Sequence, residues 1–197
     1  LRFAEAAARV VITGLGQEQG DPVVKQIEAD GGEAVFVEAD LRDPASGDLL
    51  AATAIERFGA IDTVVNNAGD PGAARANDGP IDTTDVAYWD HMYETSLRSA
   101  MLVTKAAIPA LKASEQGGRI INMSSTMAIR GGAWDVYSSV KAALIGFTQS
   151  LAVSYAPDRI TANAICPGSV VVERTADMWA HDATHKFWEK QGLTRVG

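Results

Sequence analysis

Residues 9–40 read RVVITGLGQEQGDPVVKQIEADGGEAVFVEAD, and this stretch sets the fold class. Arg9-Val10-Val11-Ile12-Thr13 is a β-branched apolar run of the kind that forms a buried strand, and it stops at Gly14. Pro22 to Asp30 has a helical pattern, with Pro22 at an early position and Gly31-Gly32 as its stop. Glu33 to Glu38 (EAVFVE) is a second strand, followed by Asp40. A strand, a glycine-bearing turn, a helix and a strand make one crossover unit, which imposes parallel pairing.

The alternation continues downstream. Ala45 to Phe58 is helical and stops at Gly59; Ile61 to Asn66 (IDTVVN) is a third strand. Residues 70–82, DPGAARANDGPID, form a loop. A long helix is expected over residues 84–112, with Pro109 close to its end. Arg119 to Met123 is a strand, residues 137–155 a helix, and Ile160 to Ile165 another strand. The tail from Val171 to Gly197 is expected to be helical in part and carries Met178, Trp179, Phe187 and Trp188. With no repeats or low-complexity linkers, residues 1–197 read as a single domain with an α/β fold and a parallel sheet.

The composition narrows the function classes. A chain of 197 residues can bury about 70% of its unfolded surface. Hydrophobic residues at 47%, charged residues at 21% and a mean hydropathy of −0.01 describe a folded globular chain. The balance of 17 basic to 25 acidic residues, a net charge of −8, argues against nucleic acid as a partner. No apolar run approaches the roughly 20 residues of a membrane span, and Lys105 interrupts the best candidate. Leu1 to Arg9 lacks the apolar core of a signal peptide, and the lone Cys166 has no internal disulfide partner. A cytoplasmic protein with neither membrane nor nucleic-acid partner is expected.

Tyr137 and Lys141 stand four residues apart on a helix, so they share a face. A tyrosine hydroxyl titrates near pH 10 and becomes a usable base only when a neighbouring cation stabilises the phenolate. Ser125 lies twelve residues upstream, where the chain leaves the strand RIINM at the C-terminal edge of the sheet. Ligands of open α/β sheets sit at that edge. A hydroxyl donor, a tunable phenol and a cation there suit proton exchange with a carbonyl oxygen. Taken alone, such a Tyr–Lys pair is more often a solvated surface pair; its weight comes from the motifs around it.

Those motifs are Thr13-Gly14, Ala39-Asp40, Asn66-Asn67-Ala68-Gly69, Asn122 to Ser125 (NMSS), Tyr137 to Lys141 (YSSVK) and Cys166-Pro167-Gly168. In this order they resemble the short-chain dehydrogenase/reductase family across almost the whole chain, which implies an α/β fold with a Rossmann-like doubly wound parallel sheet in three α/β/α layers. The resemblance implies Tyr137 as the catalytic acid/base, Lys141 as its activator and a partner of the nicotinamide ribose, and Ser125 as the group that holds the substrate oxygen. It implies Asp40 and Leu41 at the adenine, Asn67, Ala68 and Gly69 along the cofactor, and Pro167, Gly168 and Val170 beside the nicotinamide. Gly14 and Gly16 would lie at the pyrophosphate. The implied reaction is hydride transfer between NAD or NADP and a secondary alcohol or ketone. The implied assembly is a homodimer or homotetramer through helices 84–112 and 137–155.

The chain departs from the family pattern in four places. Glu18 stands where a glycine is expected, and a carboxylate there repels a pyrophosphate. After Gln17 the text passes to what resembles the end of a later helix, which leaves out about 25 residues, close to one βαβ unit. A second register makes residues 20–30 the first crossover helix and 33–38 the second strand; the stretch GGEAVFVEADLRDP resembles the third strand better. The pattern also stops short after Gly197, so the sheet is expected to be incomplete near residues 17–20 and at the C-terminus, and the sequence to be shorter than the whole polypeptide. Ser96 replaces an asparagine that the resemblance assigns to a proton relay, and hydrogen-bonds a water with fewer donors. Val172 takes the place of a threonine, with Thr175 nearby.

His181 and His185 are spaced for a metal, but the tail compels no third ligand, and no metal is expected. Cys166 reads as a packing residue. Trp134 reads as facing a substrate, and Met178, Trp179, Phe187 and Trp188 as an apolar lid over it, an oligomer contact or simple core. The resemblance, which puts a variable substrate loop at 171–197, favours the lid and with it a small apolar or aromatic substrate. Two readings follow: an NAD(P)-dependent oxidoreductase, and a non-enzymatic binding or assembly module on the same scaffold that has lost its dinucleotide.

Overall fold

β-branched runs and amphipathic helices alternate along the chain as their patterning dictates. A computed structural model describes residues 1–70, 72–73, 77–131, 134–168 and 170. A single turn, α1 (Arg2–Glu5), precedes β1 (Val10–Gly14), which leads through α2 (Gln17–Ala29) into β2 (Ala34–Glu38). β2 pairs directly with β1 in parallel, from Val10 opposite Ala34 to Gly14 opposite Glu38. The structure therefore adopts the second register, with α2 as the first crossover and 34–38 as the neighbouring strand. Gly20 permits the close seating of α2: a side chain there would collide with the Phe36 ring. α2 begins five residues before Pro22, which lies inside the helix instead of near its start.

α3 (Ser46–Phe58) follows and packs on the long helical segment described below. Gly47 sets that approach, since a Cβ on it would lie 2.6 Å from the Leu102 carbonyl oxygen. The second ladder comprises β3 (Thr63–Asn66), β4 (Arg119–Met123) and β5 (Thr161–Ile165), all parallel, in the order β3-β4-β5. Val64, Ile120 and Ile160 bury one face against Ala107, Leu111 and Leu151. The alternation of a half-buried sheet is plain here: Val65 and Ile165, pointing the other way, are 39% and 47% exposed among the described residues. The parallel strands thus form two ladders, β1-β2 and β3-β4-β5.

The expected helix over 84–112 is three pieces: α4 (Val86–Met92), π-helical turns over Tyr93–Arg98, and α5 (Ser99–Ala113). Hydroxyls line the irregular stretch. Thr95 Oγ1 donates to the His91 carbonyl at 2.8 Å and Ser99 Oγ to the Thr95 carbonyl at 2.8 Å, the back-bonding that bends helices. π-helical turns are rare and concentrate at functional sites. After β4 comes one turn, α6 (Met127–Arg130), then α7 (Asp135–Tyr155), whose buried stripe runs Val136, Val140, Leu144 and Leu151. No described helix is long and apolar enough to cross a membrane.

Candidate active site

Two asparagines anchor the strand ends from which the site is built. Asn66 Nδ2, on β3, donates to Asn122 Oδ1 on β4 at 2.7 Å and to Thr104 Oγ1 on α5 at 2.9 Å. Asn122 Nδ2 donates to Thr148 Oγ1 on α7 at 2.8 Å. This buried chain ties two strands to two helices next to Ser125 and Lys141, and a hydrogen-bonded network of this kind fixes one arrangement.

Above it, Lys141 is only 6% exposed. Its Nζ donates to the Met123 carbonyl at 2.8 Å, and its own carbonyl accepts from Ser124 Oγ at 2.7 Å. The helix is thereby fastened to the end of β4 at the lysine itself. Burial pushes the ammonium down to about 8. At neutral pH it stays mainly cationic, and it lies 5.8 Å from the centroid of the Tyr137 ring. Trp134 meets the same ring edge-on at 5.8 Å. Ser125 is buried, and its Oγ accepts from the Met127 N–H at 3.2 Å.

The structure also brings the ends of β4 and β5 together. The Ser124 N–H donates to the Ile165 carbonyl at 2.8 Å and the Thr126 N–H to the Pro167 carbonyl at 3.0 Å, so Pro167 runs beside Ser125. Gly168 and Val170 follow, both exposed. From the other side, Gly69 approaches so closely that a Cβ on it would lie 3.2 Å from Ser96 Oγ and 3.7 Å from Lys141 Nζ. Ser96, 2% exposed on the π-helical turns, has a hydroxyl with no partner among the described residues. A buried hydroxyl of this kind calls for a water or a ligand. Asn67 and Ala68 are exposed where the chain leaves β3.

The remaining sites lie at the ends of β1 and β2. The Ala39 N–H bonds the Gly14 carbonyl at 3.0 Å, which sets Asp40 beside the glycine turn. Asp40 is 20 residues beyond Gly20, the spacing at which a crossover unit presents an acid to a ribose. Its carboxylate is already gripped by Arg42, through Nε at 2.9 Å and Nη2 at 2.6 Å, and these hydrogen bonds hold its titration below the usual carboxylate range. Leu41 is half-buried alongside. Glu18 folds back so that its carboxylate fills the space a side chain at Gly16 would take.

The residues present fit a dinucleotide. At one end the unpartnered Ser96 hydroxyl, the side-chain-free approach at Gly69 and the buried Lys141 cation offer polar groups to it. At the other, the space over Gly16 opens when the exposed Glu18 turns outward. The proposed lid at 171–197, with His181, His185, Val172 and Thr175, lies outside the described residues. Sequence reasoning missed Arg42, Ser124 and Asp78, the last of which bonds the main chain of Tyr137. An Asp-Gly pair in a loop signals only a turn, and nothing in the sequence links position 78 to position 137.

Parallel strands alternate with helices here, with Ser125 and the Tyr137–Lys141 pair after β4 and a glycine-bearing turn after β1, which is the scaffold of a nucleotide-binding α/β protein. The chain belongs to the short-chain dehydrogenase family, whose model matches residues 1–183. It is 36% identical over 172 residues to an uncharacterized oxidoreductase of Thermotoga maritima, covering 87% of this chain and 65% of that one. It is 35% identical to L-rhamnose 1-dehydrogenase (NAD(P)(+)) of Azotobacter vinelandii, covering 98% of this chain and 76% of that one. Among solved structures, an NADH-dependent reductase of alginate metabolism superposes with a TM-score of 0.78 at 28% identity, covering 90% of this chain and 73% of that one.

Proposed function

We propose that the chain transfers a hydride between NAD or NADP and a secondary alcohol or ketone, with a small apolar or aromatic molecule as substrate. The observation that carries this reading is the buried Lys141, held by Met123 one helical turn from Tyr137. A cation there stabilises the phenolate, so Tyr137 can take a proton from an alcohol or give one to a ketone oxygen. Ser125 holds that oxygen by a hydrogen bond, and Ser96 positions a water through which the tyrosine recovers its proton. A bound nicotinamide dinucleotide supplies the hydride acceptor or donor. Gly14, Gly16, Asp40, Leu41, Asn67, Ala68, Gly69, Pro167, Gly168 and Val170 hold it along the strand ends, and Lys141 holds its ribose. Trp134, edge-on to Tyr137, supports an apolar substrate face. The working assembly is a homodimer or homotetramer through helices 84–112 and 137–155, in the cytoplasm.

Tyr137→Phe tests the mechanism. Turnover of small aryl and alicyclic ketones with NADH or NADPH should fall by about 1,000-fold or more, with dinucleotide binding intact. Near-normal turnover in that variant would remove the tyrosine from the reaction. The rival reading, a scaffold that no longer binds dinucleotide, finds its support in Glu18 over Gly16. Saturable quenching of tryptophan fluorescence by either NADH or NADPH excludes it.

A further inference from the structure

We infer that Asp78 is a positioning residue for the reaction, holding the backbone of Tyr137 from a different part of the chain; the inference rests on the catalytic reading of Tyr137. α7 begins without a side-chain cap of its own, since its N-cap is Trp134. The first N–H groups of a helix have no partner within it and need one from elsewhere. Asp78 supplies it from the loop that follows β3. Its Oδ2 accepts the Tyr137 N–H at 2.8 Å and its Oδ1 the Val136 N–H at 3.1 Å. This is the work of an N-cap aspartate, done across 59 residues of sequence.

The same carboxylate is itself held in place. Oδ1 accepts the Gly79 N–H at 3.0 Å, and Oδ2 accepts the Tyr88 hydroxyl of α4 at 3.1 Å. Tyr88 is 8% exposed, and its burial, followed by the Asp78 charge, raises its titration far above the usual phenol range, so it remains a donor. Beneath it Tyr88, Met92, Val136 and Val140 form a buried cluster against which Tyr137 packs. A return bond closes the arrangement: the Ile81 N–H donates to Asp135 Oδ2 at 3.0 Å. Loop and helix start thus clasp each other, each lending a carboxylate to the other's backbone.

The consequence is functional because of where the two strands of the clasp lead. The loop leaves β3 through Gly69, where a Cβ would lie 3.2 Å from Ser96 Oγ and 3.7 Å from Lys141 Nζ. The helix start carries Tyr137. Asp78 therefore ties the helix start that carries the acid/base to the loop that begins at Gly69. A displacement of about 1 Å at a reacting group can cost 100-fold in rate.

The test compares Asp78→Ala, Asp78→Asn and Tyr137→Phe in the full chain. Asp78→Ala should lower kcat by about 10- to 100-fold while KM for the ketone and the NADH dissociation constant stay within about twofold. Asp78→Asn keeps one acceptor oxygen and should fall between. Hydrogen exchange should show lost protection at the Val136 and Tyr137 amides, with protection retained over Leu144 to Leu151. The 13Cζ resonance of Tyr137, identified by its absence in Tyr137→Phe, should shift or broaden in Asp78→Ala, a readout that needs no turnover. Unchanged kcat and an unmoved resonance overturn the inference. So does a joint loss of melting temperature, dinucleotide binding and α7 protection in both Asp78 variants, which would make the residue merely structural. Turnover surviving in Tyr137→Phe defeats the catalytic reading itself, whereas a dead Tyr137→Phe beside a normal Asp78→Ala defeats the clasp alone.

Discussion

The two ladders, β1-β2 and β3-β4-β5, are built to different standards. In β3-β4-β5 and its helices, Met92, Leu111, Ile120 and Val136 are fully buried, and a chain of amide and hydroxyl groups spans two strands and two helices. In β1-β2 every residue of β1 is only half-buried, and the Thr13 hydroxyl at its end has no partner among the described residues. The difference matches the division of labour that the proposed function requires. Proton transfer needs a desolvated, preorganised lysine and tyrosine, which only dense packing provides. A dinucleotide brings its own contacts, and its binding adds stability to the half that receives it.

The sharpest way to break this contrast is to cut matching polar groups in each ladder. Asn122 is 0% exposed and joins Asn66 to Thr148, so Asn122→Ala leaves two buried groups short of a partner and a void between them. Destabilisation of about 3 kcal/mol is expected, a fall in melting temperature of about 10 °C. Thr13→Val removes a hydroxyl that bonds nothing described and should be neutral or mildly stabilising. Equal losses from the two substitutions would show that the ladders do not differ.

Within the tightly packed half, Lys141 marks where packing works against stability. Its burial lowers the ammonium from 10.5 to about 8. Below that value the folded chain carries a charge it holds less well than the unfolded chain does. Between about 8 and 10.5 the unfolded state binds more protons, so stability rises with pH across that window. Lys141→Met should therefore stabilise the chain at neutral pH, by about 1–2 kcal/mol once the lost bond to the Met123 carbonyl is set against it. The advantage should fade as pH climbs toward 10.5, and turnover should be lost throughout. Urea midpoints at two pH values read the sign; a wild type that loses stability over that window, relative to the variant, would mean the lysine is not held against its charge.

The same contrast explains what the sequence discloses. β-branched runs give β1, β3, β4 and β5 to within two residues, because a strand buried on one face must repeat its apolar positions. Ser125, Tyr137 and Lys141 are legible for a similar reason: four-residue spacing on a helix and a position just past a strand are local facts. The π-helical turns at Tyr93–Arg98 are not legible, since a widened turn leaves the residue pattern of an ordinary helix almost unchanged. Neither is the neighbour of β2. The text GGEAVFVEAD specifies a strand but not the strand it pairs with, and Gly20 seated against Phe36 decides that only in three dimensions. Asp78 and Asn122 share this difficulty, because their partners lie 59 and 26 residues away.

The open half can be probed at Glu18, whose carboxylate fills the space over Gly16. Glu18→Gly removes both bulk and charge at the start of α2, and NADH or NADPH titrated against tryptophan fluorescence should bind about tenfold tighter, which is about 1.4 kcal/mol. Glu18→Gln, which keeps the bulk, should gain less. Glu28→Gln lies near the other end of the same helix, makes the same change in net charge and should leave binding unchanged. Stability should move the opposite way in Glu18→Gly. An acid in the first turn favours a helix and a glycine there weakens it, by about 0.5–1 kcal/mol together. A variant that binds the dinucleotide better while melting earlier without it would show that Glu18 fills, for the free chain, a place that a phosphate takes in the bound one. Equal affinities for all four chains would mean that the carboxylate already points away from the path of the cofactor in solution, and that the looseness of β1-β2 has its cause in packing alone.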